Sequence, residues 1–206
     1  MTIEKGREWG SSVLVPPNVI RASSDAELAT NQQGSLCIVT AGDLWRTLGE
    51  PTIRHEGDAA TAVSIDALEV TVNATSDAFV LLASSSVQIG NLLSLSSAWR
   101  HRRFVVLTNC GLINDANVAP RAHPNDGVFD VVTFSGNMNF KQRLLSRQRL
   151  RTGTHLPHPH ISVSRNTTFQ TSRAHAHEVL SVDGITVKNW SSVSVRILPD
   201  FWRVII

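Results

Sequence analysis

A chain of 206 residues with 42% apolar side chains is long enough to bury one sizeable core, which excludes disorder as the default reading. A formal charge of +2 is too small to point to nucleic acid, and no run of about eighteen apolar residues offers a membrane-spanning helix. The first residues, Met1 to Trp9, carry charges with no apolar stretch behind them, so they do not read as a secretory signal. Cys37 and Cys110 each lie in an apolar run and read as buried, reduced thiols. Together these features predict a cytoplasmic protein, with peripheral contact to a membrane left open.

Most of the chain reads as strands. The first run, 12–15, precedes a short helix at Ser24-Asp25-Ala26-Glu27-Leu28, where a serine followed three residues later by a carboxylate is a capping-box pattern. The run 35–40 leads into a second short helix, Asp43 to Leu48, with Asp43 fitting its N-cap and Gly49 and Pro51 stopping it. Strand-like runs follow at 62–72, 78–83, 103–109 and 128–134, each bounded by Gly, Pro, Asn or Ser. Ile65, Ala67, Val70 and Val72 do not share one strict alternation, which predicts a bulge or burial on both faces. Asn139 to Leu150 is the best helix, with Phe140, Leu144 and Leu145 expected on one face and basic residues on another. Runs at 160–164, 167–171, 178–182, 192–198 and 202–206 complete the strands. Asp183-Gly184 between apolar runs signals a hairpin, and the alternation from Ser192 to Ile197 predicts one buried face. The pattern predicts a mainly β (α+β) twisted sandwich with a few peripheral helices. Residues 35–206 form its body, and residues 1–34 an N-terminal extension packed on it.

Charge is unevenly distributed. Lys141, Arg143, Arg147, Arg149 and Arg151 fall in one stretch without a carboxylate, and Trp99 to Arg103 forms a second basic cluster. Either is a solvated surface or a contact for anionic lipid or phosphate. Trp99 beside those arginines suits a core position or a membrane interface.

The segment from Asn109 to Val131 holds Asn109, a turn, Ala119-Pro120 and Asp126-Gly127-Val128-Phe129-Asp130-Val131 in order. Gly153-Thr154-His155 and Val182-Asp183-Gly184 follow, while Ala41-Gly42-Asp43-Leu44-Trp45-Arg46-Thr47-Leu48-Gly49-Glu50-Pro51 and Ser64-Ile65-Asp66 lie upstream. This ordered set resembles the C-terminal β-rich domain of bacterial diacylglycerol-kinase and sphingosine-kinase-like lipid kinases, over roughly residues 36–206. The resemblance implies a β-sandwich and a structural Mg²⁺ held by Asp126 and the backbone carbonyls of His123 and Val128. An Asp-Gly turn without metal is the alternative reading of that loop.

Three departures shape the functional expectation. The sequence contains no Gly-Gly-Asp-Gly-Thr nucleotide loop, and the roughly 35 residues ahead of the first matching strand are too few for the family's nucleotide domain, so no ATP site is expected. The late hairpin carries Ile185 where the resemblance implies a proton-accepting glutamate, which leaves no catalytic residue there. Asp183, beside it, reads as a turn residue. Asp43 and Asp66 stand at two of three positions where the family gathers carboxylates, which makes them cofactor-binding candidates.

His155, His158, His160, His175 and His177 raise a zinc site as a further candidate, without an accompanying Cys or carboxylate. The leading expectation is a non-catalytic lipid-kinase-like domain that binds a lipid, a phosphate-bearing ligand or a partner. One alternative is a lipid kinase completed in trans by a separate ATP-binding chain. Another is a structural module that forms a homodimer, through residues 202–206 if that strand is an edge.

Overall fold

The computed structural model describes residues 9–74, 77–90 and 103–206. Trp99 and most of the second basic cluster lie outside the described residues. The first elements are β1 (Ser11–Leu14), β2 (Ile20–Ala22), α1 (Asp25–Leu28), β3 (Leu36–Val39), α2 (Asp43–Thr47), β4 (Ala59–Ala74), β5 (Ala78–Ala83) and β6 (Ser86–Ile89). There follow β7 (Phe104–Thr108), β8 (Leu112–Ile113), β9 (Ala116–Asn117), β10 (Phe129–Phe134), α3 (Phe140–Leu150), β11 (Ile161–Asn166), β12 (Thr168–Ser172), β13 (Leu180–Val182), β14 (Ile185–Val187) and β15 (Trp190–Ile205).

Two sheets face each other. The first runs β1-β4-β15-β3-β2, with β5 also pairing β4 and β12 also pairing β15; the second runs β11-β10-β7-β6-β13-β14. Alternate residues of each sheet, among them Val70, Val72, Val193 and Val195 against Val87, Leu107, Phe129 and Leu180, interdigitate to form the sandwich core. The alternation expected from Ser192 to Ile197 holds, since Val193 and Val195 are buried while Arg196 faces out. On the other face of the second sheet, Phe104, Val106, Val132 and Phe134 form a further core with Met138 and Leu150.

The bulge suggested for the 62–72 strand lies in its partner. β15 inserts extra residues between Leu198 and Trp202, which pair with Ala67 and Ile65, and Asp200 there adopts φ 53°. Opposite it, Ile65, Asp66, Ala67 and Leu68 are all buried, so β4 has two dry faces at that level. Residues 202–206 do not form an edge: β15 lies between β4 and β3 and pairs in parallel with the latter.

Residues before 35 contribute strands to the first sheet. β1 pairs antiparallel with β4, and β2 pairs parallel with β3, so residues 20–47 form two successive strand-turn-helix units side by side. Ala22, Leu28, Val39 and Leu44 bury their apolar side against Ile65, Trp202 and Val204.

Two helix expectations need correction. On α3, Leu144 is 53% and Leu145 50% exposed, while Arg143, Ser146 and Leu150 face inward. The reason is local: the Arg143 guanidinium donates to the carbonyls of Met138 (2.9 Å) and Gly136 (3.0 Å), which suits it to the inner face better than a leucine. On α2, the N-cap is Gly42, with φ 111° and no capping side chain, rather than Asp43.

Candidate functional site

The turns after β2, β3, β5 and β7 meet the β13–β14 hairpin in one hydrogen-bonded cluster. At the first of these turns Ser24 caps α1 by accepting the Glu27 N–H at 3.1 Å. The Glu27 carboxylate returns to Ser23, accepting its N–H and hydroxyl at 2.7 Å each, so the reciprocal bond is shifted by one residue from the expected box. Asp25 points away from its own helix. Its carboxylate accepts the N–H groups of Asp43 (2.7 Å) and Leu44 (3.1 Å) and thereby caps α2 from a distance.

Asp43, released from capping, accepts the Asn114 N–H at 2.9 Å and pairs with Arg46 at 2.9 Å. Arg46 also lies 3.7 Å from the exposed carboxylate of Asp115. Burial pushes the Asp43 carboxyl up to about 6, opposed by the Asn114 hydrogen bond and reinforced by the Asp25 charge. Asn114 and Asp115 form the tight β8–β9 turn, both with positive φ (45° and 58°), which aims the Asn114 N–H at α2.

Asp183 supplies the third carboxylate. With Gly184 it makes the two-residue turn that the sequence signals, both at positive φ (46° and 81°). Its side chain turns inward and accepts the N–H groups of Ser84 (2.7 Å), Ser85 (3.0 Å) and Ser86 (2.8 Å). Burial, helped by the Asp25 charge, pushes Asp183 up to about 7 against the pull of those donors. The Ser84 hydroxyl donates to the Asp25 carbonyl at 3.1 Å, joining the two strands of the network. Cys110 is buried among these groups, and desolvation with three nearby carboxylates holds its thiol well above the ordinary range, which disfavours the thiolate. Ile185, one residue past the turn, is 60% exposed.

Asp66 is not part of this cluster. Its carboxylate accepts Asp200 N–H (2.9 Å), Gly127 N–H (2.8 Å) and the Asn125 amide (3.0 Å), fastening the 123–128 loop to the β15 bulge. The two cofactor candidates, Asp43 and Asp66, thus serve separate networks. Asp126 accepts the Val128 N–H at 3.3 Å and forms an ion pair with Arg165 of β11, while the His123 imidazole accepts the Asn125 N–H at 3.2 Å. An arginine therefore already pairs with the carboxylate assigned to Mg²⁺, and a cation there would share that carboxylate with it. His155 is buried and stacks on Phe134, His158 and His160 have ring centroids 5.8 Å apart, and His175 and His177 are exposed. No group of three or more His, Cys, Asp or Glu able to hold a metal occurs among the described residues.

Sequence reasoning missed Asp25. The signal was present as two successive strand-turn-Asp units, Ile20 to Asp25 and Leu36 to Asp43, at the carboxyl ends of parallel strands, where α/β sheets form ligand crevices.

The fold has solved counterparts. A protein assigned as a diacylglycerol kinase from Bacillus anthracis superposes with a TM-score of 0.58 at 10% identity, over 89% of this chain and 75% of the other. Another structure of a Bacillus anthracis protein so assigned gives 0.54 at 12% identity, over 88% and 73%. Yeast NADH kinase in complex with NADH gives 0.52 at 10% identity, over 89% of this chain and 60% of that one. At such identities the likeness is one of fold. No curated protein sequence matches the chain. Residues 86–206, more than half of the chain, match the family described as the YegS C-terminal NAD kinase beta sandwich-like domain, and the chain belongs to that family.

Proposed function

We propose that this chain is a diacylglycerol-kinase-like domain that binds a lipid or another phosphate-bearing ligand without phosphorylating it. The observation that carries the reading is Ile185, an exposed apolar side chain at the hairpin position where the resemblance implies a proton-accepting glutamate. An alkyl group accepts no proton, and the adjacent Asp183 is committed to three backbone N–H groups behind the turn.

A second feature supports it. Phosphates bind at helix N-termini through free backbone N–H groups. At the two strand-turn-helix units here, the Asp43 and Leu44 N–H groups are taken by Asp25, and that of Ser23 by Glu27. Backbone donors that could hold a phosphate at these two turns are already satisfied by the chain's own carboxylates.

The test has two arms. Purified chain with radiolabelled ATP, Mg²⁺ and dispersed diacylglycerol yields no labelled lipid above a protein-free control. The same chain, titrated by calorimetry with a water-soluble short-chain phosphatidic acid, releases heat of binding. Labelled lipid overturns the non-catalytic reading; absence of binding to that lipid and to inorganic phosphate overturns the ligand-binding one.

A further inference from the structure

We propose that the outward face of α3 docks the protein on an anionic membrane surface. This deepens the lipid-binding reading and rests on it only for the class of ligand. From Asp130 to Glu178 the sequence carries no internal carboxylate, while Lys141, Arg143, Arg147, Arg149, Arg151, Arg165 and Arg173 lie between them. α3 is the helical element of that run, fixed at its start by a capping box between Asn139 and Gln142.

The orientation of the helix is what points to a membrane. Arg143, Ser146 and Leu150 turn toward the second sheet, with the Arg143 guanidinium held by the carbonyls of Met138 and Gly136. The opposite face then presents Leu144 and Leu145, each about half exposed, with Lys141 and Arg149 also exposed. Among the described residues no carboxylate pairs with Lys141, Arg147, Arg149 or Arg151. Adjacent exposed leucines ringed by cations match a surface that offers negative headgroups above an apolar layer. Nucleic acid would use the cations and leave the leucines in water.

Co-sedimentation with phosphatidylcholine vesicles, with and without phosphatidylserine, tests this on the full chain. Binding is expected only to the phosphatidylserine mixture. It should weaken at least ~10-fold in both L144Q/L145Q and K141E/R149E, the latter corresponding to charges that each matter near an anionic surface. All four positions are exposed, so the variants keep the wild-type melting temperature. Equal binding to neutral vesicles, or full binding by L144Q/L145Q, overturns the proposal; in the second case, RNA binding lost in K141E/R149E identifies a polyanion site instead. Unchanged heat of binding to short-chain phosphatidic acid in both variants is expected. Loss of that heat in wild type alongside retained vesicle binding overturns the ligand-binding reading and leaves the docking face standing.

Discussion

The carboxylate of Asp25 occupies the space that a side chain on Gly42 would need: a Cβ at Gly42 would lie 2.4 Å from Asp25 Oδ1. Gly42 also holds φ 111° and ψ 180°, a region open essentially to glycine. Gly42→Ala should therefore destabilise by at least the ~1–3 kcal/mol typical of such backbone strain. Asp25→Asn replaces an acceptor with a donor facing the Asp43 and Leu44 N–H groups, at a cost on the order of 1–3 kcal/mol. Urea unfolding of both variants checks this, and wild-type stability in Gly42→Ala would show that the two turns are not clamped.

Asp183 predicts a pH dependence whose sign is fixed by the direction of its shift. Its folded value of about 7 lies above the ordinary carboxylate value of 3.8, so the folded chain retains a proton that the unfolded chain releases. That stabilisation is complete below the ordinary carboxylate range and is lost as pH rises through about 7. His123 and His155, both lowered by burial, act with the opposite sign, losing stability as pH falls below the ordinary histidine range. The difference between wild type and Asp183→Asn isolates the aspartate. The variant should be less stable on the order of 1–3 kcal/mol at acidic pH, with the gap narrowing as pH rises from the ordinary carboxylate value of 3.8 to about 7. A gap that widens with pH would assign the carboxylate a folded value below the ordinary one.

The sandwich was legible in the sequence because its strands carry β-branched runs with period two, as in Val193 and Val195, and because Asp183-Gly184 announces its turn. Short strands were not. β6, Ser86-Val87-Gln88-Ile89, offers only two apolar residues, and β2 only Ile20 and Ala22 beside an arginine. The inner face of α3 was misassigned because periodicity places a leucine inside by default, whereas Arg143 finds carbonyl acceptors there that no pattern of its own helix reveals. The carboxylate cluster depends on contacts between Asp25, Ser84 and Asp183 across 158 positions of chain (from 25 to 183), beyond the reach of local spacing.

Arg165 and Asp126 predict an ion response. Because the guanidinium pairs with the loop carboxylate, millimolar Mg²⁺ should leave the wild-type melting temperature unchanged. Arg165→Ala leaves a partly buried carboxylate without its cation beside the 123–128 loop, and there Mg²⁺ should raise the melting temperature by a few degrees, through binding to the folded state alone. Differential scanning fluorimetry with Mg²⁺ and with an ionic-strength-matched Na⁺ control separates specific binding from screening. A wild-type protein stabilised by Mg²⁺ and not by Na⁺ would mean that the metal shares the carboxylate with Arg165, restoring the site that the resemblance implies.

Ile185→Glu tests whether the missing proton acceptor is the sole obstacle to phosphoryl transfer. The position is 60% exposed, so the substitution should change stability by no more than ~0.5 kcal/mol. With labelled ATP, Mg²⁺ and diacylglycerol it should still yield no product, because the sequence contains no Gly-Gly-Asp-Gly-Thr loop to cradle the nucleotide phosphates. Product from Ile185→Glu alone would mean that nucleotide binds without that loop, and would reduce the difference between this domain and a lipid kinase to one side chain.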